Sequence, residues 1–159
     1  DIAISLLKNS SRFEWFLEKA TEIGVSSIFP LLCDRTEKQS FRLDRMKAVI
    51  ESATLQSRQV WMPQLAEPIK FTDFLHKDRQ ENTQLLIAHC AEGDKPLLSQ
   101  IDLISSNPLL ILIGPEGDFS DLEIKEAINN KYTAVSLGNT RLRTETAGMV
   151  AAVVLKQFS

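Results

Sequence analysis

The chain has 159 residues, with 18 Lys+Arg against 21 Asp+Glu for a net charge of −3, and it is 43% hydrophobic and 25% charged. That is the length and composition of one globular domain with its own core, without the overall basic charge of a self-sufficient nucleic-acid binder. No apolar run nears the roughly 20 residues of a membrane span, and Cys33 and Cys90 are lone cysteines without C-x-x-C spacing, as suits a reducing cytosol rather than a disulfide scaffold. The first residue is Asp1 rather than Met, which raises the expectation of a longer parent protein.

Ile2-Ala3-Ile4-Ser5-Leu6 predicts a first strand. Ser11-Arg12-Phe13-Glu14 matches a capping box, and Phe13, Phe16, Leu17, Ala20 and Ile23 follow at helical spacing until Gly24. Val25 to Cys33 predicts a strand interrupted at Pro30. Leu43, Met46, Ile50 and Ala53 predict a helix to about Arg58, after which Pro63 and Pro68 mark a loop. Thr72 is placed to cap a short helix over Asp73 to His76. Gln84 to Ala88 and Leu109 to Ile113 predict buried strands, with a short helix from Pro96 to Ile101 between them. Ser120-Asp121-Leu122-Glu123 is a second capping box and opens a helix to about Asn130. Val135-Ser136-Leu137 predicts a strand, and Glu145 to Phe158 a largely buried closing helix. Strands alternating with helices predict one α/β domain with a mostly parallel sheet.

In open parallel sheets, ligands gather beyond the carboxyl ends of the strands. Two loops hold that position. In Ile113-Gly114-Pro115-Glu116-Gly117-Asp118-Phe119-Ser120 the glycines admit close backbone approach, the proline stiffens the turn, and Glu116 offers an acceptor. A tight strand-to-helix turn would use the same letters, and the loop is neither G-x-G-x-x-G nor a P-loop. In Leu137-Gly138-Asn139-Thr140-Arg141-Leu142-Arg143-Thr144-Glu145-Thr146-Ala147, Thr144 is a predicted N-cap and Glu145 suits the helix dipole. Arg141 and Arg143 instead add charge to the positive end of that dipole, which fits a bound anion or carboxylate there, pairing with Glu145, or plain solvation. His89, Cys90 and Glu92 form a third loop after a predicted strand; neighbouring side chains on extended backbone diverge, which argues against a Cys–His pair. His76 and His89 share no ligand spacing with the cysteines, so no metal site is expected. Lys8, Arg35 and Arg58 read as scattered surface cations, and Trp15 and Trp61 as packing or interface residues.

Together these letters resemble the ribosomal small subunit methyltransferase E family of the SPOUT superfamily. Residues 111–117, with Phe119, Ser120 and Glu123, are similar to its I-G-P-E-G-G-x-S/T-x-x-E segment, and residues 137–147 to its L-G-x-R-I-L-R-x-E-T-A signature. Lys19 to Val25 is similar to K-A-T-E-L-G-V, Asp34-Arg35-Thr36 stands at an E-R-S/T, and Gln56-Ser57 followed by Pro63 echoes a Q-S…P segment. The chain departs at Asp118, where the family has a second glycine, and at Arg58-Gln59, where its arginine falls one place later. It also carries Thr140-Arg141 for an Arg-Ile pair, while Leu142 and Arg143 keep the pattern.

The resemblance implies a SPOUT-type fold: a mostly parallel sheet flanked by helices, with a C-terminal deep trefoil knot. It implies a cytoplasmic homodimer that binds S-adenosyl-L-methionine and methylates N3 of a uridine in 16S ribosomal RNA, with no metal and no membrane. Arg143 would stabilise charge on the uracil, and Glu145 or Glu116 would handle its proton. His89, Ile113, Gly114, Pro115, Glu116, Gly117, Leu137, Gly138, Leu142 and Thr146 would hold the cofactor, and Arg35, Arg58 and Arg141 would contact RNA. Residues 1–159 would be the SPOUT methyltransferase domain, without the family's N-terminal β-barrel RNA-binding domain. A SPOUT enzyme for another RNA, or a non-catalytic RNA-binding or ribosome-assembly module that has lost methyl transfer, are the alternatives.

Overall fold

The computed structural model describes residues 1–37 and 40–158. Seven strands form a single sheet: β1 (Ile2–Ser5), β2 (Ser27–Leu32), β3 (Gln64–Leu65), β4 (Ile69–Lys70), β5 (Gln84–Ala88), β6 (Leu109–Ile113) and β7 (Thr133–Val135). The helices are α1 (Ser10–Ile23), α2 (Leu43–Ser57), α3 (Phe71–Leu75), α4 (Asp121–Asn129) and α5 (Thr144–Lys156), with a 3₁₀ turn at Leu98–Gln100. The sheet order is β3-β2-β1-β6-β5-β7, with β4 also on β2, and every pairing is parallel. The expected α/β class holds.

Side chains two apart along each strand divide the core between the two faces. Ile2, Ile4, Ile111 and Ile113 pack under α1, α2 and α5, whereas Ala3, Leu110 and Leu112 pack with Phe71, Phe74 and Ile124 of α3 and α4. β5 and β6 match the predicted spans residue for residue, because strands covered on both faces are continuous apolar runs. Pro30 does not interrupt β2. Leu31 turns its carbonyl to Leu6 N and Ile28 turns its own to Ala66 N, so the backbone nitrogen of the buried Pro30 points away from β1, toward the gap between β3 and β4. A missing N–H is harmless there.

Three helix starts differ from expectation. Asn9 Oδ1 accepts from Ser11 N at 2.9 Å and begins α1 at Ser10. The carboxylate of Glu14, expected to close a box with Ser11, instead accepts two bonds from Arg45 of α2, at 2.6 and 2.9 Å. Asparagine caps as well as serine, and a bidentate guanidinium outcompetes one backbone N–H. α3 starts at Phe71 rather than Asp73, because Phe71 is buried with Phe74 and Leu75. Thr144 is the first residue of α5, not its cap; Arg143 holds the cap position without a side-chain bond. The last strand lies at Thr133–Val135 rather than 135–137, with Ser136 bridged to Leu97.

The second capping box is complete: Ser120 Oγ accepts from Glu123 N at 3.2 Å and Glu123 Oε2 from Ser120 N at 2.8 Å. Glu123 Oε1 also accepts from Asp34 N at 2.9 Å, tying the loop after β2 to the start of α4. Glu123→Ala is expected to cost about 1–3 kcal/mol, since it strands two backbone donors. Burial pushes the Glu123 carboxyl above the ordinary carboxylate range, a rise that the bonds from Ser120 and Asp34 reduce. The folded state therefore holds this proton more tightly than the unfolded chain does, and ionisation weakens folding. The group's contribution falls as pH rises through the ordinary carboxylate range and levels off above its own raised value. Urea melts of parent and variant from about pH 4 to pH 7 should show a stability gap that narrows with pH; a widening gap would contradict this.

Candidate functional site

Because all strands run parallel, the loops after β5, β6 and β7 meet at one end of the sheet. There they enclose a cleft of about 430 Å³. Its walls are His89, Cys90 and Lys95 after β5; Ile113 at the end of β6 and Gly114, Pro115, Glu116 and Asp118 after it; and Ser136 to Leu142 after β7, with Thr144 and Ala147 of α5 closing it.

The loop after β6 folds back on itself. A Cβ on Gly114 would lie 3.0 Å from the Phe119 ring and 3.1 Å from Phe119 N, so any side chain here would press on a ring that packs on Phe71. Asp118 N donates to Pro115 O at 2.9 Å, closing the turn. Glu116 Oε1 accepts from Lys8 N at 3.0 Å, which anchors the turn to the segment after β1. In the loop after β7, Gly138 has a φ of 137° that only glycine adopts readily, and Ser136 Oγ bonds both its N–H and its carbonyl. Ser136 is itself held by backbone bonds to Pro96 and Leu98.

Of the residues expected at the site, His89, Ile113, Gly114, Pro115, Glu116, Leu137, Gly138, Leu142 and Arg141 come together in this cleft. Gly117, Arg143, Glu145 and Thr146 are not among its lining residues. Arg143 is exposed, between Leu142 and Thr144, which do line it. Glu145 is buried, with Oε1 3.6 Å from Arg12 Nε on α1 and Oε2 lacking a hydrogen-bond partner among the described residues. Gly117 lies against the Arg35 side chain, and Arg35 Nη1 donates to Gly117 O at 2.7 Å and to Phe119 O at 3.3 Å. That guanidinium braces the loop. Arg58 caps α2 at a φ of 55°, and its neighbour Gln59 bonds Glu22 O just before β2, at the opposite end of the strands from the cleft.

Sequence reasoning left Lys95, Asp118 and Ser136 without a role. Lys95 follows no motif, and only folding brings its ammonium 3.4 Å from His89 Nδ1. Burial first, and then Lys95, holds the His89 pKa below its ordinary value, so the imidazole is neutral at pH 7. Among the described residues no group of three or more His, Cys, Asp or Glu is placed to hold a metal ion. No helix among them is long and apolar enough to cross a membrane.

A family model described as an RNA methyltransferase domain matches residues 1–156. Ribosomal RNA small subunit methyltransferase E of Synechocystis sp. is 34% identical over 154 residues, which cover 94% of this chain and 50% of that protein. A solved structure of a probable rRNA-methyltransferase from Porphyromonas gingivalis superposes with a TM-score of 0.91 at 35% identity, covering 99% of this chain and 66% of that one. Ribosomal RNA small subunit methyltransferase E from Neisseria gonorrhoeae, solved bound to S-adenosyl methionine, superposes with a TM-score of 0.87 at 27% identity, covering 98% of this chain and 65% of that one. The chain thus spans half to two-thirds of the length of these relatives.

Proposed function

The chain belongs to the RNA methyltransferase domain family, and from that premise we propose that it transfers the methyl group of S-adenosyl-L-methionine to N3 of a uridine in 16S ribosomal RNA. One observation carries the reading: the glycine-proline loop and the arginine-bearing loop, far apart in sequence, face each other across a single cleft. At about 430 Å³ the cleft is within the usual range for a nucleoside-sized ligand. Ile113, Leu137 and Leu142 offer apolar surface, Gly114 and Gly138 bring backbone to the wall, and Glu116 supplies negative charge. These residues fit S-adenosyl-L-methionine and, with His89 and Pro115, would hold it. Gly117 would act by shaping its loop, and Thr146 from the first turn of α5. When bound, the cofactor supplies a methyl group activated by a sulfonium.

The protein's own task is to position the uracil and manage its proton. Loss of the N3 proton leaves negative charge on the uracil oxygens, and the Arg143 guanidinium, next to the cleft and at the positive end of α5, suits that charge. Glu116 lines the cleft and is exposed, so it is the better placed carboxylate to accept the proton, directly or through water. Glu145, packed on Arg12, would fix α5 against α1. Arg141 would meet RNA at the mouth of the cleft. The knotted C-terminal segment, the cytoplasmic setting and the homodimer belong to the same proposal. α1 and α5 pack together, and each exposes one large apolar side chain, Trp15 and Val153, that a second copy would cover.

Calorimetric titration with S-adenosyl-L-methionine should give saturable binding, about one site per chain, in the ~1 μM to 1 mM range typical of enzyme ligands. Sedimentation of the same sample should return twice the monomer mass. No heat at millimolar cofactor would sink the reading and favour the RNA-binding module. Primer extension on small-subunit RNA from a strain lacking the parent gene should lose one stop at a uridine; an unchanged pattern would point to another RNA.

A further inference from the structure

Asp118 stands at a φ of 65°, in the left-handed region that favours glycine. Its side chain accounts for the choice. Asp118 Oδ1 accepts from Phe119 N at 2.8 Å, and Oδ2 accepts from Cys90 N at 2.7 Å, 28 residues away in sequence. One carboxylate thus links two of the three loops that form the cleft. From His89 to Pro96 the chain has no helix or strand. The Lys95 ammonium, which donates to Ala91 O and lies near His89, ties this loop only to itself. At Gly93, with a φ of 134°, nothing lies within 4 Å of the Cβ position, so packing does not hold the loop there.

We propose that Asp118 is a positioning residue that fixes the loop after β5 in its ligand-ready form, so that the cleft is shaped before the cofactor enters. The strut rests on geometry alone; its consequence for binding rests on the cofactor reading above. Bonds from N–H to a carboxylate are among the stronger ones in proteins, and a loop ordered beforehand need not be ordered on binding. The carboxylate acts through two backbone donors, Cys90 N and Phe119 N.

The test compares Asp118→Gly, which suits the backbone and removes the strut, with Asp118→Asn, which keeps an acceptor for Cys90 and removes the charge. In the unliganded protein, Asp118→Gly should raise amide hydrogen exchange at Cys90 by about tenfold or more, the usual worth of a bond to a charged group. Its Kd for S-adenosyl-L-methionine should weaken by about tenfold, and that of Asp118→Asn by about threefold at most. In turnover the loss should fall on KM for the cofactor rather than on kcat. Unchanged Cys90 exchange in Asp118→Gly would overturn the strut, and faster exchange with unchanged affinity would overturn its role in binding. Equal weakening in both variants would replace the strut with a direct charge contact. If the parent chain binds no cofactor, the functional reading fails by itself, and Cys90 exchange still decides on the strut.

Discussion

Gly148→Val is expected to lower the thermal midpoint by roughly 2–12 °C. Gly148 lies within α5, where an alanine or valine would ordinarily improve on glycine by a few tenths to about 1 kcal/mol through helix propensity alone. Sterics reverse that sign. A Cβ at this position would stand 2.6 Å from Phe16 Cε2 and 2.9 Å from Ile4 Cδ1, both on fully buried side chains. Neither the ring in α1 nor the isoleucine in the central strand has free space to retreat into, and overpacking of this kind costs about 1–3 kcal/mol or more. For a domain of this size each kcal/mol moves the midpoint by about 2–4 °C. Gly148→Ala should lie between valine and the parent. Because Thr144 and Ala147 of the same helix line the cleft, the displacement should also weaken ligand binding. A midpoint equal to the parent's in Gly148→Val would mean that α5 does not rest on α1 at this distance.

Arg143→Ala is expected to lower the single-turnover rate of methyl transfer on small ribosomal subunits by about 10²–10³, the usual effect of removing one donor from a developing anion. Its affinity for S-adenosyl-L-methionine should be unchanged, because Arg143 is not among the lining residues of the cleft. Arg143→Lys keeps the charge but not the planar fork and should recover only part of the rate. Filter binding of the RNA separates this from plain loss of affinity: an RNA anchor would lose binding and keep its rate at saturation. Parent-like turnover in Arg143→Ala with normal cofactor binding would remove the residue from the chemistry and pass the role to Arg141, the arginine that does line the cleft.

The elements most legible in the sequence are those whose local letters and tertiary burial agree. β6 is an uninterrupted apolar run and β5 is one after Gln84, and the box at Ser120 and Glu123 forms as written because Asp34, the further partner of both side chains, takes the Ser120 hydroxyl proton and the other Glu123 oxygen and leaves the box bonds intact. The box at Ser11 and Glu14 was equally well spelled and did not form, since Arg45, brought in by α2, took the carboxylate. β3 and β4 are two residues each, too short to carry a period, and exist only because β2 offers its edge. The same contrast runs through the site. Glycine and proline between a strand and a helix marked two of its loops in advance, but an arginine's letter does not say which way it will face. Arg141 lines the cleft, Arg143 sits exposed beside it, Arg35 braces a loop, and Arg58 lies at the far end of the sheet.

Sequence by itself determined the α/β class, the parallel sheet and the two motif loops, because hydrophobic period, caps and turn residues act over a few neighbouring positions. Only the tertiary structure decided which side chains share the cleft: that Lys95 approaches His89, that Asp118 reaches Cys90, and that Glu145 turns to Arg12 instead of the cleft. Those pairings depend on strand order and on how α5 settles against α1. Such long-range geometry is fixed by the packing of the whole core, and no local run of letters encodes it.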